Sequence, residues 1–372
     1  MNVTITEEQT MLQDSVKKFV ENEIPLEKIR ELFDDPNGLT DELWAKIAEQ
    51  GWLGILVPEE YGGLGMGVQE LAVVCEEFGR GAVPGPYRST VLAAHLIALG
   101  GSDAAKQAWL EGIVAGETRA TLALIEDTPE IDLSRIETKA VSSNGGYLLN
   151  GKKMLVADAM GADLFVVAAR KADGALAFFL VERGAGGVTV KANKLRDLTA
   201  RSGNVYLKNV AVEADAVIDQ GAEDAYRKTL NVANVCIAAD SVSGADYIHK
   251  LTVAYAKERT QFGKQIGSFQ AVKHPLVDVF AEIESAKSAY YYAAWAIDAD
   301  SPDVNAAVAI ARNTCTQAYR DTVTVCLQAH GGIAFTWEYD LHIFLKRAKH
   351  NQFLYGSRSE SDEVICKEAL GI

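Results

Sequence analysis

The hydrophobic period of this chain changes twice along its length, and that change limits the folds open to it more than any single motif does. In the first third, apolar residues recur at helical spacing. Met11, Leu12, Val16, Phe19 and Val20 mark one face of a segment that Thr6 can cap, with Gln9 placed to close a capping box. Thr40 can cap a second helix, with Asp41 and Glu42 at its positive end, a buried stripe at Trp44, Ile47 and Ala48, and a stop at Gly51. Beyond a Pro- and Gly-rich turn, a further helix is predicted from about Val68 to Gly79. From about Thr121 to Ala222 the period falls to two. Short β-rich runs (Thr121 to Ile125, Ala140 to Ser142, Gly146 to Leu149, Leu164 to Ala169, Leu176 to Val181, Val188 to Ala192, Val205 to Leu207) are separated by Gly, Asn and Asp. The run GNVYLKNVAV, Gly203 to Val212, alternates as a strand with one solvated side would. After Ala222 long helical patterns return. Val272 to Ile297 carries Leu276, Phe280, Ile283 and Ala286 on one stripe, and Ser301 and Pro302 are expected to open a helix that Gly331 stops. The prediction is an α+β multidomain protein: an N-terminal helical domain (1–120), a middle antiparallel β domain (121–222) and a C-terminal four-helix bundle (223–372).

The 372 residues, 48% of them apolar, can fill cores of that size. A formal net charge of −15 disfavours nucleic acid and anionic membrane surfaces, so any polyanionic ligand has to be met by a local cationic group. Cys75, Cys236, Cys315, Cys326 and Cys366 are odd in number, far apart and without a CxxC pair, which points to no disulfide framework and no metal site. A reducing cytoplasm fits. The segment MNVTITEEQ has no basic and apolar leader pattern, and no run of about 18 apolar residues occurs, so neither export nor a membrane span is expected.

The local cation is found in Lys257 to His274, KERTQFGKQIGSFQAVKH, which joins a basic cluster to a Gly turn and a new helix. Arg259 offers a planar fork to phosphate oxygens, and Phe262 an aromatic face for a flat ring; alternatively, Arg259 pairs with an acid such as Glu258. About seventy residues on, Gln328-Ala-His330-Gly331-Gly332 follows a helix. Its glycines let backbone approach a phosphate or ribose, or simply cap the helix. His330 reads as a packed helix-end residue.

Together these elements resemble the flavin-adenine-dinucleotide (FAD) signature of the acyl-CoA dehydrogenase family, and the resemblance covers nearly the whole chain. It implies that Arg259, Gln261 and Phe262 form the flavin-binding element whose Arg holds the pyrophosphate, that Gln270 contacts the adenosine portion, and that Gln328, Gly331, Gly332 and Ser357 complete the cofactor contacts, with a departure from the family's third Gly at Ala334. It also implies that these residues serve a neighbouring chain's flavin, since the family places the adenine half at a subunit interface. The family's substrate is an acyl-CoA thioester and its usual acceptor an electron-transfer flavoprotein.

Dehydrogenation needs a carboxylate to take the proton beside the thioester carbonyl. Here Tyr355 stands at one family position of that base and Ala233 at the other, with Asn234 where an Arg supports the CoA site. A phenol is a poor base at neutral pH. Asp240 and Glu360 are the nearest carboxylates, each readable as surface groups or as a displaced base. Leu124 to Asp132 keeps only scattered acids of the family's flavin-ring loop, and Leu155 and Ala157 replace its shielding Trp and its hydroxyl. Retained adenine-side residues beside a lost base and ring pocket resemble one subunit of the heterotetrameric (α2β2) members, including those of steroid side-chain breakdown; the Pro84 to Thr90 segment resembles that branch too. Two alternatives stay open: a homo-oligomeric dehydrogenase in which Tyr355 or Asp240 reshapes the chemistry, and a flavin-free structural or regulatory homologue.

Overall fold

The computed structural model describes residues 6–128 and 132–372. The first domain holds α1 (Glu7–Glu23), α2 (Leu26–Glu31), α3 (Asp41–Glu49), α4 (Val68–Arg80), α5 (Tyr87–Gly100) and α6 (Asp103–Val114). The expected caps are present. Thr6 and Gln9 form a reciprocal capping box on α1, Thr40 Oγ1 accepts from the Leu43 amide, and Gly51 follows α3 in the left-handed region at φ 75°.

The middle domain comprises β1 (Ala120–Ala123), β2 (Lys139–Ser143), β3 (Gly146–Ala157), β4 (Leu164–Lys171), β5 (Leu176–Glu182), β6 (Val188–Ala192), β7 (Ser202–Val212) and β8 (Val217–Ile218). They form one sheet in the order β6-β7-β3-β2-β4-β5-β8, with β1 added on β4. Most pairings are antiparallel, but β1 and β2 both run parallel to β4, a refinement of the antiparallel prediction. The expectation of a solvated side is corrected at β4 and β5. Leu164, Val166, Ala168 and Phe178 enter the core shared with the helices, while Phe165, Val167, Ala169 and Phe179 fill a second core on the opposite face. Strands buried on both faces read as continuous apolar runs, as these do. In β7 the alternation holds but slips by one residue. Val205 and Leu207 are buried, then Val210 and Val212, with Asn209 at φ 51° in the bulge between them.

The last domain contains α7 (Ala222–Glu258), a hairpin of β9 (Thr260–Gln261) and β10 (Lys264–Gln265), α8 (Gln270–Asp298), α9 (Val304–His330), α10 (Leu341–Asn351) and α11 (Arg358–Ile365). Three long helices pack together, and α10 lies against α7 and α9 as the fourth. The α7 helix is the axis of the molecule, touching α4, α5, α8, α9 and α10. Its stretch from 235 to 246 is buried on every side, which is why it lacks a clean polar face. Two glycines allow this. A Cβ on Gly79 would lie 2.4 Å from the Asp240 carbonyl oxygen, and one on Gly244 would lie 2.6 Å from the Tyr319 hydroxyl. The start of α9 departs from expectation. Asp303, not Ser301, precedes the helix; Ser301 and Pro302 belong to the turn, where the Ser301 hydroxyl bonds Asp303 Oδ1 at 2.5 Å. In α8, Leu276, Ile283 and Ala286 are buried as predicted, whereas Phe280 is 46% exposed and stacks on the His249 ring. All five cysteines are free, and four are buried. Among the described residues no helix is long and apolar enough to cross a membrane, and no cluster of metal-ligating side chains occurs.

Candidate functional site

The sequence-predicted residues fall into two groups, and the fold separates them. The first is at one end of the C-terminal bundle. Helix α7 ends where the Arg259 amide still donates to the Tyr255 carbonyl, and the Arg259 carbonyl then accepts from the Ile266 amide, closing the β9–β10 hairpin. Phe262 and Gly263 form its two-residue turn with φ 53° and 77°, the conformation that suits the twist of a tight hairpin. Glycine and asparagine are the usual occupants. A phenylalanine there costs about 1–2 kcal/mol of backbone strain, and its ring is 92% exposed. Among the described residues its one ring partner is Phe269, approached edge-on at 6.2 Å. Arg259, Gln261 and Gln270 are also exposed, and among the described residues the Arg259 guanidinium has no ion-pair partner. The reading of Arg259 as paired with Glu258 is therefore not realised.

Helix α9 ends beside this hairpin. The His330 ring stacks on Tyr255 at 4.2 Å and lies 5.0 Å from Tyr339, and its Nδ1–H donates to the Cys326 carbonyl. Burial lowers its pKa, so the imidazole is neutral and packed. Gln328, Gly331 and Gly332 are exposed, and nothing lies within 4 Å of where a Cβ on either glycine would sit. Ile333, Phe335 and Trp337, at 45%, 70% and 61% exposure, extend the same face. A cation with no ion-pair partner among the described residues, a strained exposed aromatic and open glycine backbone fit the phosphate and adenine end of FAD.

The second group converges on a mostly apolar chamber of about 370 Å3 between the middle and last domains. Leu155, Ala157, Tyr355 and Ser357 all line it, with Leu122, Leu124, Met154, Phe353 and Glu360 among its other walls. None of the described hairpin or α9-end residues does. Tyr355 is 7% exposed, at φ 55°, and burial pushes its hydroxyl pKa far above the ordinary phenol range, which removes it as a base. Ala233 is buried in α7 and brings no acid. Ser357 caps α11, its hydroxyl accepting from the Glu360 amide while Glu360 Oε2 accepts from the Ser357 amide at 2.5 Å, so both groups are already engaged.

Asp240 is not the surface carboxylate that was one reading of it. It is 3% exposed and held by Arg347, whose Nε donates to Oδ1 at 3.1 Å, and by Asn351 Nδ2 at 2.7 Å. Burial would raise its pKa, but the Arg347 charge and these bonds hold it below the ordinary carboxylate range, so it stays ionised and locked.

Several positioning residues gave no signal in the sequence. Arg312, 2% exposed in α9, donates to Asn234 Oδ1 at 2.6 Å and to the carbonyls of Leu354, Gln352 and Gly356, clamping the loop that carries Tyr355. Asn234 thus stands as an acceptor for a buried cation where an Arg was expected. Arg201 donates to the carbonyls of Leu32, Phe33, Asp35, Leu198 and Ala200, tying the first domain to the middle one. In the segment Leu124 to Asp132, residues 129–131 lie outside the described residues. The acids there are more than scattered survivors. Glu126 accepts from the fully buried Lys153 at 2.6 Å and from the Glu137 and Thr138 amides, which anchors the loop.

A helical, β and helical chain with an exposed cation and aromatic at one end of its bundle defines a three-domain fold class, and comparison with known proteins resolves which family carries it. Family models match residues 6–117 (acyl-CoA dehydrogenase, N-terminal domain), 121–210 (middle domain) and 219–369 (C-terminal domain). The chain belongs to the acyl-CoA dehydrogenase family. Among curated relatives, Acyl-CoA dehydrogenase IpdE2 of Mycolicibacterium smegmatis is 30% identical, over 96% of this chain and 97% of the relative. Probable acyl-CoA dehydrogenase YngJ of Bacillus subtilis is 29% identical over the full length of both. Among solved structures, the ChsE4-ChsE5 complex from Mycobacterium tuberculosis matches with a TM-score of 0.91 and 28% identity over 100% of each chain. A chain of the Tcur3481-Tcur3483 steroid ACAD matches at 0.88 and 29%, over 99% of this chain and 100% of that one.

Proposed function

We propose that this chain is one subunit of an α2β2 FAD-dependent acyl-CoA dehydrogenase, giving the phosphate and adenine side of a flavin site that a homologous subunit completes. The observation that carries this reading is the Phe262–Gly263 turn beside Arg259. Strain is stored and an aromatic ring and a cation are exposed on a face that none of the chain's own chamber residues shares. Arg259 binds pyrophosphate, Phe262 covers the adenine end, and Gly331 and Gly332 admit the ligand to backbone contact. FAD supplies the hydride acceptor when bound. Neither Tyr355 nor Ala233 can remove the substrate proton, so the base comes from the partner, whose acyl-CoA undergoes α,β-dehydrogenation with electron-transfer flavoprotein as acceptor. The two-subunit structures at TM-scores of 0.91 and 0.88 support such an assembly, and the steroid ACAD among them supports a steroid side-chain acyl-CoA as substrate class.

The test is to purify the chain alone and co-expressed with its genomic neighbour, and to read flavin absorbance and acyl-CoA turnover. The expected result is flavin and turnover only in the complex. A lone chain with a full flavin complement and turnover would overturn the shared site in favour of a homo-oligomer, and a colourless complex would favour a flavin-free role.

A further inference from the structure

The apolar chamber adjoins a second cavity of only about 30 Å3, and the two share Ala157, Arg201, His350, Leu354 and Tyr355 as walls. The small cavity is polar, with Arg88, Asp158, Asp197, Arg347 and Asn351 around it. Much of that polarity is already engaged. Arg347 is committed to Asp240, Thr199 Oγ1 and the Val83 carbonyl, Asp158 accepts from Ser89, and Arg201 is spent on backbone carbonyls.

Three atoms are left over. Asp197 Oδ2, Asn351 Oδ1 and the Tyr355 hydroxyl have no hydrogen-bond partner among the described residues, although these residues are only 4%, 0% and 7% exposed. The Arg88 guanidinium approaches Asp240 only to 3.9 Å, beyond hydrogen-bonding distance. Buried polar atoms are normally satisfied by protein or by ordered water, so this wall keeps hydrogen-bonding capacity for a small polar group.

Volume and charge define that guest. A cavity of about 30 Å3 admits one or two water-sized groups and no ring or chain. Arg88, Arg201 and Arg347 are balanced by Asp158, Asp197 and Asp240, so an ion would enter uncompensated. The open atoms offer two acceptors, on Asp197 and Asn351, and two donors, on Arg88 and Tyr355. A hydroxyl both donates and accepts.

We propose that this cavity is a recognition subsite for one hydroxyl group carried by an apolar ligand lying in the chamber. The chain would then discriminate between apolar rings or chains that bear the hydroxyl and those that do not. This site is distinct from the flavin face and makes no use of it.

The experiment titrates p-cresol and toluene, one hydroxyl apart, into the full-length chain and into Tyr355→Phe, by calorimetry or ligand-observed NMR. Tyr355→Phe keeps the ring wall and removes only an unpartnered hydroxyl, so the fold should hold; Arg88→Met is a second variant acting from the opposite wall. The expected result is a p-cresol affinity about tenfold weaker in each variant, with toluene unchanged within about twofold. Equal changes for both probes, no change for p-cresol, or no binding of either probe would overturn the proposal. So would displacement of p-cresol from the lone chain by saturating FAD, because the chamber would then belong to the flavin ring. The proposed function fails on flavin retention in the two-subunit complex, so either idea can fall without the other.

Discussion

Replacing Arg312 by methionine should loosen the wall of the chamber and cost the protein about 3 kcal/mol. The guanidinium holds four acceptors, Asn234 Oδ1 and the carbonyls of Gln352, Leu354 and Gly356. Charge-assisted bonds contribute about 1.5–2 kcal/mol each, or about 6–8 kcal/mol together. Burial opposes them. It pulls the Arg312 pKa down to about 10, with only Glu360 favouring the charge, which corresponds to about 3 kcal/mol against the ionised form. Letting the loop relax also returns about 1 kcal/mol from Tyr355, now held at φ 55°. The remainder is the expected loss, read as the wild-type minus variant difference in urea unfolding at pH 7. Hydrogen exchange across 352–357 should accelerate at the same time, because the released carbonyls belong to that loop. Arg312→Lys should lose nearly as much, since one ammonium cannot span four acceptors. A loss below about 1 kcal/mol, or unchanged exchange in 352–357, would show that the Tyr355 loop is held by something other than the clamp.

Three further outcomes follow from the geometry. Phe262→Asn should stabilise the chain by about 1 kcal/mol, because Asn tolerates the left-handed region, yet lower flavin retention in the two-subunit complex; unchanged flavin content would detach Phe262 from the cofactor. Arg259→Leu should leave unfolding within about 0.5 kcal/mol of wild type and weaken FAD at least about tenfold by equilibrium dialysis, whereas a large stability loss would mean the guanidinium is structural. Lys153 is fully buried and its pKa is pulled down to about 8 by burial, against Glu126, which favours the charge. Between about pH 8 and 10.5 the unfolded chain keeps a proton that the folded chain has released, so this group adds stability as pH rises, by up to about 3 kcal/mol. Lys153→Met should flatten that rise in urea midpoints taken from pH 7.5 to 10, and parallel curves for the two proteins would count against it.

Much of the fold was legible because its signals are local. A Thr6 hydroxyl and a Gln9 amide three residues apart, a Gly331 after a long apolar stripe, and runs such as LFVVAARK act through backbone geometry within a turn or two, and the structure returns them in place. Boundaries moved where a local rule met a competitor. Ser301 bonded Asp303 instead of capping α9, and Asn209 took a bulge that shifted the inward face of β7 by one residue.

The two-sided burial of β4 and β5 depends on what packs against each face, which no pattern within the strands reports. The candidate sites divide along the same line. RTQFG and QAHGG are contiguous, so their chemistry can be read in order, and the exposure of Phe262 follows from a hairpin of only two residues per strand. The chamber is different in kind. Its walls come from β1, β3, the segment around Leu195 and the loop after α10, and the polar cavity beside it is lined by Arg88 and Arg347, from two separate helices that both approach Asp240 on a third.

Asp240 illustrates the difference. As a letter in α7 it could be a surface acid or a displaced base, and only the arrival of Arg347, 107 residues later in the chain, makes it a locked counter-ion. By itself, then, the sequence determined the three-domain order, the element types and the cationic, aromatic face, because those rest on interactions between near neighbours. Only the tertiary structure decided which acids are spent, which polar atoms are left open and that Tyr355 stands between two cavities, because a charge's meaning and a wall's position depend on groups that folding brings in from elsewhere.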